Sequence, residues 1–255
     1  MSVISKSKYT GSESEANQER FPFIKGFQES TLIDWSDRVA SIIFLGGCNF
    51  RCGFCHSKAL VEDFDRIETI PFYKIAGFLK EKKGWIDGVV VTGGEPFVHK
   101  ESLIELITAI RNLDFQVKLD TNGTNPELLK EVIDNHIVDY IAMDIKAPLC
   151  EKDYRNAVKC NVGIERIVLS KDVVLNSDCD YEFRTTIVPG IIDKENIISI
   201  ARSIKNAKRY CLQQFVPRDT LDPAFIFLKP YKIEEIQVMA DSVRKYVKNI
   251  VVRSN

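Results

Sequence analysis

The sequence has no run of the roughly 20 apolar residues that a membrane-spanning helix needs. Its opening stretch, MSVISKSKYTGSESEANQER, lacks the apolar core of a signal peptide. Glu13, Glu15 and Glu19 in that stretch also argue against a transit peptide, a class poor in acidic residues. Charge of one sign is missing too: 35 Lys and Arg stand against 36 Asp and Glu, a formal net charge of −1. A chain so balanced has no global attraction to nucleic acid or an anionic membrane. Neither an internal repeat nor a low-complexity linker divides it. These absences set the first expectations: a cytoplasmic protein with no membrane or nucleic-acid partner, a disordered tail over residues 1–21, and one domain over 22–255. At 255 residues, 45% hydrophobic and 28% charged, the chain can bury a sizeable core.

What stands out is cysteine. There are seven, an odd number, and without a secretion signal a disulfide framework is not expected. Three of them, Cys48, Cys52 and Cys55, crowd into GGCNFRCGFCHS (Gly46–Ser57). Cys150, Cys160, Cys179 and Cys211 are scattered singly and read as inert thiols. Clustered thiols in a reducing compartment hold metal or do redox chemistry, so the loop points to zinc or an iron–sulfur cluster.

Short β-like runs alternate with helical patterns along the chain. The strand candidates are 40–47, 87–96, 115–123, 138–146, 181–190 and 209–217, with NIVVR as a further terminal strand. Between them, apolar residues recur at helical spacing: Phe72, Ile75, Ala76 and Leu79; Leu103, Leu106, Ile107 and Ile110; Leu128, Leu129, Val132 and Ile133. The pattern continues around Ile164, Ile167 and Val168, then at Ile197, Ile200, Ala201 and Ile204, and at Ile236, Ala240, Val243 and Val247. Asn125 before Pro126 supplies an N-cap with proline at the first helical position. Such alternation means an α/β protein with a parallel sheet and outer helices. Six units are too few for a full eight-fold barrel, which leaves a partial barrel, open on one side, or a doubly wound sheet.

In parallel β/α folds the active site is built from loops at the strand C-termini. Taken in order, those ends carry Cys48, Cys52 and Cys55; Gly93, Gly94 and Glu95; Asp120 and Asn122; Asp144 and Lys146; then Arg184 and Gln214. A Cys3His zinc site would need His56 or His99, and His56 adjoins Cys55 too closely for easy convergence on one ion. Zinc also gives no reason for the glycines, carboxylates and lysine around the rim. Three thiolates on a four-iron cube would instead leave one iron open to another ligand.

Cys48-x-x-x-Cys52-x-Phe54-Cys55 resembles the signature of the radical S-adenosylmethionine (SAM) superfamily, and Gly93-Gly94-Glu95-Pro96 resembles its second motif. The resemblance implies a six-unit partial TIM-like barrel, one [4Fe–4S] cluster on Cys48, Cys52 and Cys55, and SAM bound at the open iron. It implies SAM contacts from Phe54, His56, Gly93, Gly94, Glu95, Asp120, Asn122, Asp144, Lys146, Arg184 and Gln214. LDTNG and MDIK are similar to stretches of glycyl-radical-enzyme activases, in which Asp120, Thr121 and Asp144 would hold a monovalent cation and Lys146 would pair with SAM.

Within that group, KGFQESTLIDWSDRVASIIFLGGCNFRCGFCHS and LQQFVPRDTLDPAF are similar to activating proteins of anaerobic ribonucleoside-triphosphate reductase. Ser57 stands where asparagine is usual, and Val216 where formate-lyase activases carry a histidine. The implied activity is reductive cleavage of SAM and formation of a glycyl radical on a partner enzyme, fed by a low-potential electron donor. The other readings are a radical SAM enzyme for a small molecule, such as a 7-carboxy-7-deazaguanine synthase, and a non-catalytic iron–sulfur or zinc protein.

Overall fold

The strands β2 (Ala40–Leu45), β3 (Gly88–Gly93), β4 (Gln116–Thr121), β5 (Tyr140–Asp144), β6 (Asp180–Ile187), β7 (Tyr210–Gln214) and β8 (Ile250–Arg253) pair in parallel, neighbour to neighbour in chain order. This computed structural model describes residues 20–254. One further strand, β1 (Ile24–Thr31), pairs antiparallel with β2. Among the described residues β1 and β8 remain the two edges of the eight-stranded sheet, so the barrel is partial and open, as expected. The helices are α1 (Lys58–Glu62), α2 (Phe72–Glu81), α3 (Glu101–Arg111), α4 (Pro126–Asp134), α5 (Glu151–Val158), α6 (Ile164–Leu175), α7 (Lys194–Ser203) and α8 (Ile233–Val243).

Alternation along the strands divides the sheet into two chemical faces, because successive side chains point to opposite sides. Val89, Val91, Val117, Leu119, Ile141, Met143, Phe183 and Leu212 are fully buried in one cluster with the helix residues Leu79, Leu106, Ile110, Leu129, Ile167, Ile200 and Val243. Burying each such side chain stabilises the fold by roughly 1.5–3 kcal/mol. The alternate positions of β4, β5 and β6 carry Lys118, Asp120, Asp144, Glu182 and Arg184, which face the other way and form an interior row of charge. A small apolar cluster of Trp35, Ala40, Ile42 and Val90 stands apart from the main core. At α4 the Asn125 side chain caps the Leu128 N–H at 3.2 Å, with Pro126 opening the helix as read from the sequence.

Three elements escape the sequence pattern. β1 is an edge strand with exposed residues in mid-run and pairing irregularities between Ile24 and Gly26 and between Gln28 and Thr31, so it has no clean alternation. α1 buries only Val61, and α5 only Tyr154, Ala157 and Val158, too few for a helical period to show. Residues 1–19 of the expected tail lie outside the described residues. Phe21 is not tail: it is 2% exposed and packs edge-on against Phe23 and Phe72, so the packed body starts before residue 22. No helix among the described residues is long and apolar enough to cross a membrane.

Candidate active site

The cysteine loop leaves β2 and is held on every side by backbone. Gly47 donates to the Leu60 carbonyl at 2.7 Å, Arg51 to Val158 at 2.9 Å, and the Gly53 and Cys55 carbonyls accept from Asp222 and Leu221 at 2.9 and 3.0 Å. The Arg51 guanidinium folds back onto the Cys48 and Phe50 carbonyls at 2.7 and 2.8 Å. Cys48, Cys52 and Cys55 all line one cavity at the C-terminal rim, together with Gly93, Gly94, Glu95, Asp120, Asn122, Asp144, Lys146, Arg184 and Gln214. The topology therefore gathers the residues singled out from the sequence around a single opening. Burial pushes the Cys48 and Cys52 thiols up to about 12, so both are protonated at neutral pH unless a cation takes up their charge. Neighbouring thiolates at Cys48 and Cys55 would raise Cys52 further, and the Lys146 ammonium acts against that.

Gly93 and Gly94 are needed for a reason the motif alone does not reveal. Gly93 has φ +132°, and a Cβ there would lie 2.2 Å from the Leu45 carbonyl oxygen; a Cβ on Gly94 would lie 1.9 Å from that of Gly47. The obstacle is the protein's own backbone, because this turn lies directly against the cysteine loop, with Glu95 N–H donating to Gly47 at 2.8 Å. Glu95 is 1% exposed, and its carboxylate accepts from Phe97 N–H (3.1 Å), Thr121 Oγ1 (2.8 Å) and Asn122 N–H (2.6 Å). It fastens the β3 turn to the β4 loop. Burial raises its pKa to about 7 despite those three donors.

Charge runs through the cavity lining in an ordered row. Arg184 donates through Nε to Asp144 Oδ1 and through Nη1 to Asp120 Oδ2, both at 2.8 Å, and Lys146 Nζ donates to Asp144 Oδ2 at 2.8 Å. Burial alone would raise the Asp144 pKa, but Arg184 and Lys146 outweigh it and hold the carboxyl down at about 2. Burial likewise disfavours charge on Lys146, yet Asp144 and Cys52 raise its pKa above the usual lysine value. Below this row, Lys118 reaches Glu182 at 3.5 Å and Asp120 Oδ1 at 3.8 Å, and Arg253 reaches Glu182 at 3.4 Å. Asp120 Oδ1 is buried with no hydrogen-bond partner.

Comparison with known proteins decides what this rim belongs to. The family model described as the radical SAM superfamily matches residues 42–198, well over half of the chain. The chain belongs to the radical SAM superfamily. Over 237 residues it is 34% identical to a protein of Methanocaldococcus jannaschii named as a glycyl-radical enzyme activating enzyme, covering 91% of this chain and 95% of that one. It is 26% identical to the pyruvate formate-lyase-activating enzyme of Clostridium pasteurianum, over 81% of this chain and 87% of that one. In fold it matches a crystallised domain of pyruvate-formate lyase-activating enzyme from Bacteroides vulgatus with a TM-score of 0.53 at 20% identity, over 65% of this chain and 98% of that one. This radical SAM protein thus falls among the glycyl-radical-enzyme activating enzymes.

Radical SAM proteins work with a [4Fe–4S] cluster and SAM, and the residues present fit both. The three thiols share one cavity wall, and burial leaves Cys48 and Cys52 in need of a cation to become thiolates. Neither histidine offered for a Cys3His zinc site joins the three thiols as a fourth ligand by its observed contacts. His99 is committed elsewhere, stacked on Phe23 and bonded to the Gly46 carbonyl at 2.7 Å, and His56 packs edge-on to Phe215. Of the donors named for a monovalent cation, Thr121 turns its hydroxyl to Glu95, and Arg184 bridges Asp120 and Asp144. Asp120 Oδ1 accepts no hydrogen bond among the described residues, with Lys118 Nζ 3.8 Å away.

Phe54, 5% exposed, lines the cavity with its ring against Phe225. Gln214 lines it too, its amide donating to the Tyr231 carbonyl at 2.9 Å. The remaining cysteines do not line the cavity. Asn49 was not anticipated: its side chain accepts from the Asn122 amide and donates to Thr124 Oγ1, both at 2.8 Å, sewing the cysteine loop to the β4 loop. Lys118, Glu182 and Arg253 were also missed. The signal for the first two lay in the alternating charges of QVKLDT and YEFRTT, which no solvent-facing strand in the middle of a parallel sheet would need.

Proposed function

We propose that this protein installs a glycyl radical on anaerobic ribonucleoside-triphosphate reductase. In this reading Cys48, Cys52 and Cys55 hold the cluster, and Lys146, Asp144, Asp120 and Arg184 receive the amino-acid end of SAM. A reduced cluster held there would supply one electron for reductive cleavage of SAM to methionine and 5′-deoxyadenosine, the hydrogen atom coming from the glycine Cα of the partner. The chain's own part is placement. Arg184 and Lys146 keep the Asp144 carboxylate ionised, and Phe54 gives the cavity an apolar wall for the adenine. Glu95 and Asn49 hold the β3 and β4 loops against the cysteine loop.

The observation that carries the reading is the joining of three cysteines and the Asp120–Arg184–Asp144–Lys146 row in one open cavity. Choice of the reductase rests on the similarity of Lys25–Ser57 and Leu212–Phe225 to that activating group, and on Val216 in place of a histidine. A reducing compartment, the cytoplasm, and a low-potential electron donor complete the reading.

The test is anaerobic. Protein reconstituted with iron and sulfide, reduced with dithionite and given SAM should release 5′-deoxyadenosine, and Cys52→Ala should not. With the reductase added, a glycyl doublet should appear by electron paramagnetic resonance. Absence of 5′-deoxyadenosine from fully reconstituted protein would overturn the enzyme reading, and product without a glycyl doublet would overturn the choice of partner.

A further inference from the structure

Folding leaves a few large apolar side chains in solvent, and most are far from the rim. Leu32, Ile33 and Trp85 lie on loops leading into the N-terminal ends of β2 and β3, and Leu169 and Val238 lie on helices. Among the large exposed apolar side chains of the described residues, only Ile226 and Phe227, 44% and 87% exposed, lie in a segment that follows the C-terminal end of a strand, where the active site is built. That segment is not loosely attached. Leu221 and Asp222 donate their N–H groups to Cys55 and Gly53 of the cysteine loop, and the Asp222 carboxylate caps Ala224 at 2.9 Å. Phe225 turns inward against Phe54 and Phe215, at ring centroid distances of 6.3 and 6.4 Å. A 3₁₀ turn over Pro223–Phe227 then carries the next two side chains outward. One short segment thus has an inner side packed against the cavity-lining Phe54 and an outer side of bare hydrocarbon.

The geometry points to Ile226 and Phe227 as the docking patch for the protein substrate, receiving apolar side chains that flank the reactive glycine of the glycyl-radical enzyme. The inference rests on the activase reading above. A glycine Cα has no side chain to grip, so its placement over the cavity must come from contacts made by neighbouring residues of the same loop. A rigid aromatic on a segment bonded to the cysteine loop provides such an anchor at low entropic cost. The patch directly follows Phe225, whose ring packs against the cavity-lining Phe54, so a polypeptide held on it is held next to the segment that backs the cavity wall.

The experiment compares wild type, Phe227→Asp and Phe227→Leu with purified anaerobic ribonucleoside-triphosphate reductase as the probe, at saturating SAM. Two quantities are read: 5′-deoxyadenosine formed without the reductase, and glycyl radical formed as the reductase concentration is varied. Phe227→Asp should keep partner-free SAM cleavage within about twofold of wild type while raising the half-saturating reductase concentration about tenfold or more, as loss of a central aromatic anchor does. Phe227→Leu, which keeps an apolar surface, should recover most of that loss. An unchanged reductase dependence in Phe227→Asp, beside a working wild type, overturns the patch and leaves the activase reading standing. A wild type that cleaves SAM but never forms the radical on the reductase overturns the choice of the reductase as partner, and with it the patch as that partner's docking site.

Discussion

Arg184 lies directly opposite Asp144 in the parallel register of β6 and β5, and its Nε donates to Asp144 Oδ1 at 2.8 Å. The same guanidinium reaches one strand further, to Asp120 on β4. One side chain thus ties three strand ends together at the floor of the site. It does so as a buried ion network, which is costly to break from one side only.

Neutralising Asp144 should therefore damage fold and site together. Asp144→Asn leaves Arg184 and Lys146 buried with less counter-charge, and the expected loss is about 3–5 kcal/mol in chemical denaturation. The pH dependence has a definite sign. The folded carboxyl titrates at about 2, below its ordinary 3.8. Its contribution is therefore complete above about pH 4 and lost as pH falls through about 2. An acid-unfolding midpoint that is the same in wild type and Asp144→Asn would contradict this.

Glu95 should act in the opposite direction. Its folded pKa is about 7 against an ordinary 4.5, so the folded state holds a proton that the unfolded state has lost. Stability of the metal-free protein should fall between about pH 4.5 and 7, by an amount on the order of 3 kcal/mol, and level off above that. Glu95→Gln should flatten this slope, at the expense of one hydrogen bond to the β4 loop, in thermal melts recorded from pH 4.5 to 8.

The cysteines separate into two sets by position. Alanine at Cys48, Cys52 or Cys55 should abolish retention of a [4Fe–4S] cluster, read as iron and sulfide content and the visible absorbance of the cluster. Alanine at the exposed Cys150 should leave both unchanged, because its thiol donates to the Asp153 carboxylate at 3.1 Å and does not line the cavity.

Two glycines should respond oppositely to a methyl group. Gly94→Ala drives its Cβ into the Gly47 carbonyl and displaces the cysteine loop, so unfolding stability should drop by more than about 3 kcal/mol and iron retention should fall with it. Gly77 lies within α2 with nothing within 4 Å of an added Cβ. Gly77→Ala should stabilise the protein by about 0.5–1 kcal/mol, seen as a raised Tm with unchanged iron content.

Much of this architecture is written locally. Strand periods, helix periods, the Asn125 cap, the Cys48-x-x-x-Cys52-x-x-Cys55 spacing and the polar strand ends all follow from near-neighbour chemistry, and together they set the α/β class and the rim that carries the site. What they leave open depends on partners distant in sequence. β1 has no period because its edge position leaves half of it in water. Gly94 is required by a carbonyl 47 residues away in the chain, and Glu95 spends its carboxylate on the β4 loop rather than pointing freely into the cavity. Lys118, Glu182 and Arg253 become a network only when β4, β6 and β8 turn the same face inward. Asn49 becomes a stitch only when the β2 and β4 loops meet. A residue's period is fixed by its neighbours in the chain, but its contacts are fixed by the packing of strands and loops, and only the folded sheet determines that.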